Sequence, residues 1–345
     1  MTGLRPLALR GSGSVAVVLP GSFTSTRYVE FDAPMLTEAM QMAGLSGSDI
    51  IVQNAQSTAA QYLDARADIT RGARVLIVDP LDPGTGAQIA SYAKSRGVPV
   101  IDYDRFTLGG SHMYDVGFND IEAGTMLGKG LQNCIAAWNV KNPRVIVMKA
   151  DPTDSNATLV ADGYDAVVAP LFSGGQWKDV ANLAGTSTPT AALAEFQAAL
   201  TANPTANAVL VPDDANAAMI IRDLRRRNVQ PMTFPVTGQD ASLIGLQDVV
   251  AGYQCGTVYE PVYLEAQATI ALAMYLRAGL TPPAALVNGS VKDIQTGTQV
   301  PSVLESPIWV TTANMESTVV RDNFVPASQI CQGSLAPDCS KYGIG

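Results

Sequence analysis

Val100-Ile-Asp-Tyr-Asp-Arg-Phe106 begins apolar and β-prone, then turns charged at Asp104-Arg105, with aromatic residues on both sides. It reads as a buried strand whose carboxyl tip carries an acid, a base and aromatic rings. In open parallel α/β sheets, ligands bind outside the carboxyl ends of the strands. The tip is therefore expected to face a small polar ligand. The same unit recurs upstream. Apolar runs at 15–19, 50–52 and 75–78 read as strands, the third ending at Asp79-Pro80. Between them, Met35, Leu36, Ala39, Met40 and Ala43 fall at helical spacing, as do Tyr62, Ala65 and Ile69, and these helices close at Gly44 and Gly72. A helix over 86–96 stops at Gly97 and leads back into the quoted strand. Downstream the alternation restarts. Strands are expected at 114–118, 145–148, 208–211, 234–237 and 256–259, with helices between them and a long helix over 262–278. The tail from Gly279 is rich in turns. Strand and helix alternating at short intervals predict an α/β fold, a parallel sheet with helices on both faces.

The chain has 345 residues, more than one hydrophobic core usually spans, so two domains are expected. Apolar residues make up 47% and charged residues 15%, which argues against a disordered chain. A net charge of −9 argues against nucleic acid and against an anionic membrane surface as partners. No run is apolar and long enough for a bilayer-spanning helix. No signal peptide is visible, and Met1-Thr-Gly3 is consistent with a start placed after a removed leader.

Four cysteines permit three pairings. Cys331 and Cys339 lie in a Gly/Pro/Ser-rich tail at a spacing suited to a local disulfide loop. Cys134 and Cys255 belong to separate elements. An even count leans towards an exported, oxidising setting, with four reduced thiols as the alternative. There is no CxxC pair and only one histidine, His112, so no metal is expected. No G-x-G-x-x-G, P-loop or G-x-S-x-G follows a strand, so no cofactor is expected either. His112, in a Gly/Ser-rich loop, reads as a solvated residue rather than a general base.

Polar groups gather at the strand tips: Arg27, Asp104-Arg105, Asp154 and Asn156, Asp213-Asp214, Asp240 and Glu260. A sugar hydroxyl both donates and accepts. Carboxylates and amides take its proton, and arginine donates to its oxygen. Tyr28 and Trp177 are candidates to pack on the apolar faces of a pyranose. The competing reading is that these acids and amides cap helices. Adjacent residues on an extended chain point opposite ways, so one of Asp213 and Asp214 is expected to face a ligand and the other to cap.

The order of these motifs resembles the periplasmic sugar-binding proteins of ABC importers, and among them the xylose-binding branch. The matching pieces are Thr26-Arg27-Tyr28, Arg71-Gly72 with Val75-Leu-Ile-Val78, Tyr103-Asp104-Arg105, Asp154-Ser-Asn156-Ala157, Gly238-Gln-Asp240-Ala241, Thr257-Val-Tyr-Glu260-Pro261, and Val300-Pro-Ser-Val-Leu304 with Ser317-Thr-Val-Val320. The resemblance implies a type I periplasmic binding protein, with two Rossmann-like lobes of parallel sheet and the ligand in the cleft between them. Three hinge crossings would fall near 118–119, 260–261 and 305–308. The lobes would be 1–118 plus 261–306 and 119–260 plus 307–345. Cys134 and Cys255 then share a lobe, which implies a 134–255 bridge beside 331–339.

Carried over by resemblance, Arg27, Asp104, Arg105, Asp154, Asn156 and Asp240 would hydrogen-bond the sugar, and Tyr28 and Trp177 would stack on it. Asp213 stands where the xylose-binding members have asparagine. Glu260 stands where they have lysine, an acceptor-only anion in place of a donor-only cation. Both changes make the site more acidic and favour a ligand with extra hydroxyl donors: another pentose, a hexose or a polyol. The implied protein is no enzyme. It is a monomer, periplasmic or extracellular with a lipid anchor in prospect, that hands its sugar to ABC permease membrane subunits. The alternatives are the ligand-sensing domain of a lactose-repressor-like regulator and an enzyme on a Rossmann-like fold. The regulator would need a helix-turn-helix before Val15, where fourteen residues stand, half of them Gly, Ser or Arg.

Overall fold

The computed structural model describes residues 1–150, 154–186 and 188–345. Of the polar loop expected over 151–156, residues 151–153 lie outside the described residues. The strands, in chain order, are β1 Ser14–Pro20, β2 Ile50–Ala55, β3 Ala73–Val78, β4 Val100–Tyr103, β5 Tyr114–Phe118, β6 Arg144–Met148, β7 Lys178–Leu183, β8 Ala208–Leu210, β9 Thr237–Gln239, β10 Gly256–Tyr259, β11 Gly289–Lys292, β12 Gln299–Glu305 and β13 Ile308–Val310. The chain divides into two compact units, with boundaries at Phe118/Asn119, Glu260/Pro261 and Glu305/Ser306. Asp154 and Ser155 group with the first unit, although the residues that follow them belong to the second, and Ser306 groups with the second.

The first unit holds a seven-stranded sheet in the order β11-β12-β5-β4-β3-β1-β2. All neighbours are parallel except the β11–β12 hairpin at its edge. Side chains alternate across a strand, and β1 shows why it is apolar throughout. Val15, Val17 and Leu19 pack with Leu36, Met40, Ile270 and Met274 on one face. Ala16 and Val18 pack with Ala65, Ile69, Ile89 and Ala93 on the other. A sheet covered on both faces needs continuous hydrophobic strands. The covering helices start where short polar side chains accept a first-turn N–H: Ser57 from Ala60 and Asp82 from Thr85.

The second unit is built the same way. Its strands run β7-β6-β8 in parallel, and β9 pairs parallel with β10, which is closed by antiparallel β13. A parallel bridge, Val209 to Val236, connects the two groups. Ile146 and Met148 face Phe196, Ala217 and Ile221. Val145 and Val147 face the other way, towards Leu127, Leu131 and Tyr164. The sheets are parallel except at two edges, β11 and β13, where the turn-rich segment after Gly279 folds back into short antiparallel strands. The helices Asp120–Ala137 and Ala157–Ser173 approach closely because Gly124 and Gly163 lack side chains; a Cβ on either would strike the other helix's backbone.

Two disulfides, Cys134–Cys255 and Cys331–Cys339, lie within this unit. Both are the pairs that the resemblance implied. Among the described residues, no helix is long and apolar enough to cross a membrane.

Candidate functional site

In the first unit, the carboxyl ends of β1, β3 and β4 deliver a charged cluster. Asp104 follows β4 with φ 61, the left-handed region. Aspartate tolerates that conformation better than most residues, and such backbone strain concentrates at functional sites. The turn returns the Asp104 N–H to the Val116 carbonyl at 2.9 Å and frees the side chain from the strand's alternation. Gly117 makes the room, since a Cβ there would sit 3.2 Å from the Asp104 carbonyl oxygen.

Arg27 lies buried among three carboxylates: Glu265 at 2.8 Å, Asp104 at 3.1 Å and Asp32 at 3.2 Å. Tyr28 donates to Asp104 at 2.7 Å, and Tyr103 donates to Asp32 at 2.7 Å. Burial pushes the Asp32 carboxyl above the usual range, and the Arg27 charge pulls it back. Arg105 reaches Asp154 at 3.1 Å. Ser155 accepts from the Phe106 N–H at 3.1 Å. Arg27, Tyr28, Asp104, Arg105 and Asp154 are thus brought together within this unit.

Tyr28 does not present an open face there. It is only 4% exposed, and the guanidiniums of Arg27 and Arg105 lie over its ring at 5.8 and 5.7 Å. In this arrangement it gives cation–π support and donates to Asp104.

The second unit repeats the device. Asp240 follows β9 with φ 93 and donates its N–H to Val258 at 2.9 Å, as Asp104 does to Val116. The turn is held by Asp214. This buried carboxylate accepts from Gln254 at 2.7 Å, the Ser242 N–H at 2.8 Å, and the Ser242 and Thr257 hydroxyls at 3.0 Å. Burial raises the Asp214 carboxyl to about 7 against those hydrogen bonds. Glu260, buried at the end of β10, accepts from the Gln239 amide at 3.0 Å.

Three expected residues of this unit are placed as follows. Asp213 caps the helix Asp214–Arg226, accepting from the Asn216 N–H at 2.6 Å. The Asp213-Asp214 pair therefore resolves into a cap and a buried strut. Asn156 precedes the helix Ala157–Ser173 at the cap position without a side-chain cap bond. Trp177 precedes β7, at the amino end of that strand. It is packed in the core with Leu171, Tyr164 and Phe172. A ring placed there is core, not a platform at the strand carboxyl ends, which corrects the expectation that it stacks on a sugar.

His112 is also displaced from its expected role. Its side chain is buried, edge-on to Phe106 at 5.0 Å and 3.7 Å from Asp102, and burial holds the imidazole below its ordinary range. Among the described residues, no cluster of His, Cys, Asp and Glu is suited to a metal.

Sequence reasoning missed Asp32, Asp79, Tyr103, Gln239 and Glu265 as parts of these clusters. Asp79 carried a signal, as an acid at a strand tip. Glu265 carried none, because it lies inside the largely buried helix Val262–Arg277.

Residues 15–281 match the periplasmic binding protein domain. The chain belongs to this family. It is a binding protein rather than an enzyme, of a periplasmic class. The D-xylose-binding periplasmic protein of Escherichia coli (strain K12) is 30% identical over 288 residues, covering 82% of this chain and 84% of that one. The multiple sugar-binding periplasmic receptor ChvE of Rhizobium radiobacter is 24% identical over 341 residues, covering 94% of each. Among solved structures, a carbohydrate transporter solute-binding protein from Chloroflexus aurantiacus, in complex with D-glucose, superposes with a TM-score of 0.81. It is 25% identical and covers 92% of this chain and 98% of that one.

Proposed function

We propose that this family member captures a monosaccharide or a related polyol and delivers it to the membrane permease of an ABC importer, acting as a monomer. The observation that carries the reading is the cluster at the end of β4. Asp104 and Arg105 put an acceptor and a donor side by side, Asp104 held by the buried Tyr28 and Arg27 and Arg105 by the half-buried Asp154. A sugar hydroxyl needs both kinds of partner. Asp154 adds an acceptor in the same unit. In the second unit, Asp240 and Glu260 stand at equivalent strand ends, with Asn156 at a helix start. Names of relatives that bind xylose and several sugars support the class. Glu260 beside the Gln239 amide, in place of a lysine, favours a ligand richer in hydroxyl donors than xylose. No bond is made or broken. A bound sugar acts through its differential affinity for the conformers of the protein, which is what a permease can read.

Calorimetric titration with pentoses, hexoses and polyols tests the reading. One or more is expected to bind with a one-to-one stoichiometry. Silence across all three classes would sink it.

A further inference from the structure

Asp79 ends β3 in a position that nothing in the core requires. Its backbone is fixed on both sides. Its N–H donates to Val18, its carbonyl accepts from the Gln61 amide at 2.6 Å, and Gln61 in turn accepts from the Leu81 N–H at 3.0 Å. The carboxylate held by this brace is fully buried, and neither of its oxygens has a hydrogen-bond partner among the described residues. The nearest cation is Arg105, whose Nε stands 3.9 Å from Oδ1 and is itself a buried donor without a hydrogen bond. The other end of the same guanidinium is on Asp154 at 3.1 Å. A buried donor and a buried acceptor thus face each other across a gap slightly too long for a hydrogen bond, while the donor's far end is engaged elsewhere. Buried charge without a hydrogen bond disfavours the fold.

We propose that Asp79 is a second seat for Arg105: on sugar binding the guanidinium closes the gap to Asp79, and Asp79 thereby positions Arg105 to donate to the ligand. Asp79 is a positioning residue in this scheme, acting through Arg105. The scheme rests on the sugar-binding reading. The charged and titratable groups facing Asp79 are Asp104 and Arg105 after β4 and Arg27, Tyr28 and Asp32 after β1. Burial, reinforced by Asp104, pushes the Asp79 carboxyl well above its ordinary range, and Arg105 opposes this. Closing the gap strengthens that opposition, so binding lowers the Asp79 carboxyl back towards its ordinary range.

The test uses the parent and Asp79→Asn, which keeps the shape and removes the charge. Thermal melting, and calorimetric titration with the best sugar of the screen in two buffers of different ionisation enthalpy, are compared. Expected are proton release on binding by the parent and, for Asp79→Asn, a higher melting temperature, a roughly tenfold or greater loss of affinity, and no such release. Unchanged affinity and unchanged proton release in the variant overturn the inference and leave the sugar reading standing. A lower melting temperature together with weaker binding also overturns it, because Asp79 would then be a structural support. A parent that binds no sugar overturns both.

Discussion

The Tyr28 hydroxyl donates to Oδ2 of Asp104 at 2.7 Å while Arg27 holds Oδ1 of the same carboxylate at 3.1 Å. The two partners fix the carboxylate from the inside. Asp104→Asn removes the charge but keeps a residue that tolerates the left-handed backbone. Hydrogen bonds to charged groups contribute about 1.5–3 kcal/mol, so sugar affinity is expected to fall by roughly 10- to 100-fold. Circular dichroism should match the parent. Parent-like affinity by calorimetry would show that the ligand lies elsewhere.

Arg27 is the cation shared by Asp32, Asp104 and Glu265. Arg27→Met leaves these three buried carboxylates without it. Removing one partner of a buried ion pair costs about 3–5 kcal/mol. The deficit is expected to shrink as pH falls from 7 to 5, because protonation neutralises the stranded carboxylates. Urea unfolding at the two pH values measures it; a pH-independent deficit would refute the electrostatic account.

Burial raises several carboxyls in the folded state: Asp115 and Asp214 to about 7, and Asp248 to about 6. An acid whose folded value lies above its unfolded one binds its proton more tightly when folded. Stability then falls as pH rises from the unfolded value towards the folded one. The lowered His112 works in the opposite sense below its ordinary value, but it is a single group. The melting temperature is therefore expected to decline between about pH 4 and pH 7 and then level off. A midpoint that climbs steadily to pH 7 would contradict this assignment.

The two disulfides differ in the loops they close. Cys134–Cys255 spans 121 residues of sequence and Cys331–Cys339 spans 8. By loop-closure entropy the first constrains the unfolded chain by about 5 kcal/mol and the second by about 2.5 kcal/mol. Cys134→Ala with Cys255→Ala should lower the urea-unfolding free energy clearly more than the corresponding tail pair. Equal losses would show that local packing, not loop closure, dominates.

Glu260 accepts from the Gln239 amide at the end of β10. Glu260→Lys replaces that acceptor by a donor, and the amide must turn its oxygen towards the new ammonium. The ranking of sugars in a binding screen is expected to move towards xylose. An unaltered ranking would mean that this side chain does not reach the ligand.

The strands and helices were legible because their cause is local. An apolar run such as Val15–Leu19 can be buried on both faces only in a covered parallel sheet. β7 was missed because its burial is partial and its sequence carries no periodic signal. The strand-tip residues Arg27, Asp104 and Arg105 were legible as types, since charge at the end of an apolar run is visible in one dimension. Trp177 and Asp213 were not, because a ring or an acid near a strand reads the same whether it faces solvent, core or helix backbone.

By itself, then, the sequence determined the α/β alternation, the charged strand tips, and which cysteines and motifs were present. The tertiary structure alone decided who meets whom: Glu265 on Arg27, from 238 positions away, the Asp214 brace under Asp240, and the buried Asp79 facing Arg105. The physical reason is that hydrophobic periodicity is set by near neighbours. The pairing and desolvation of a buried charge, by contrast, depend on side chains that only folding brings within a few ångströms.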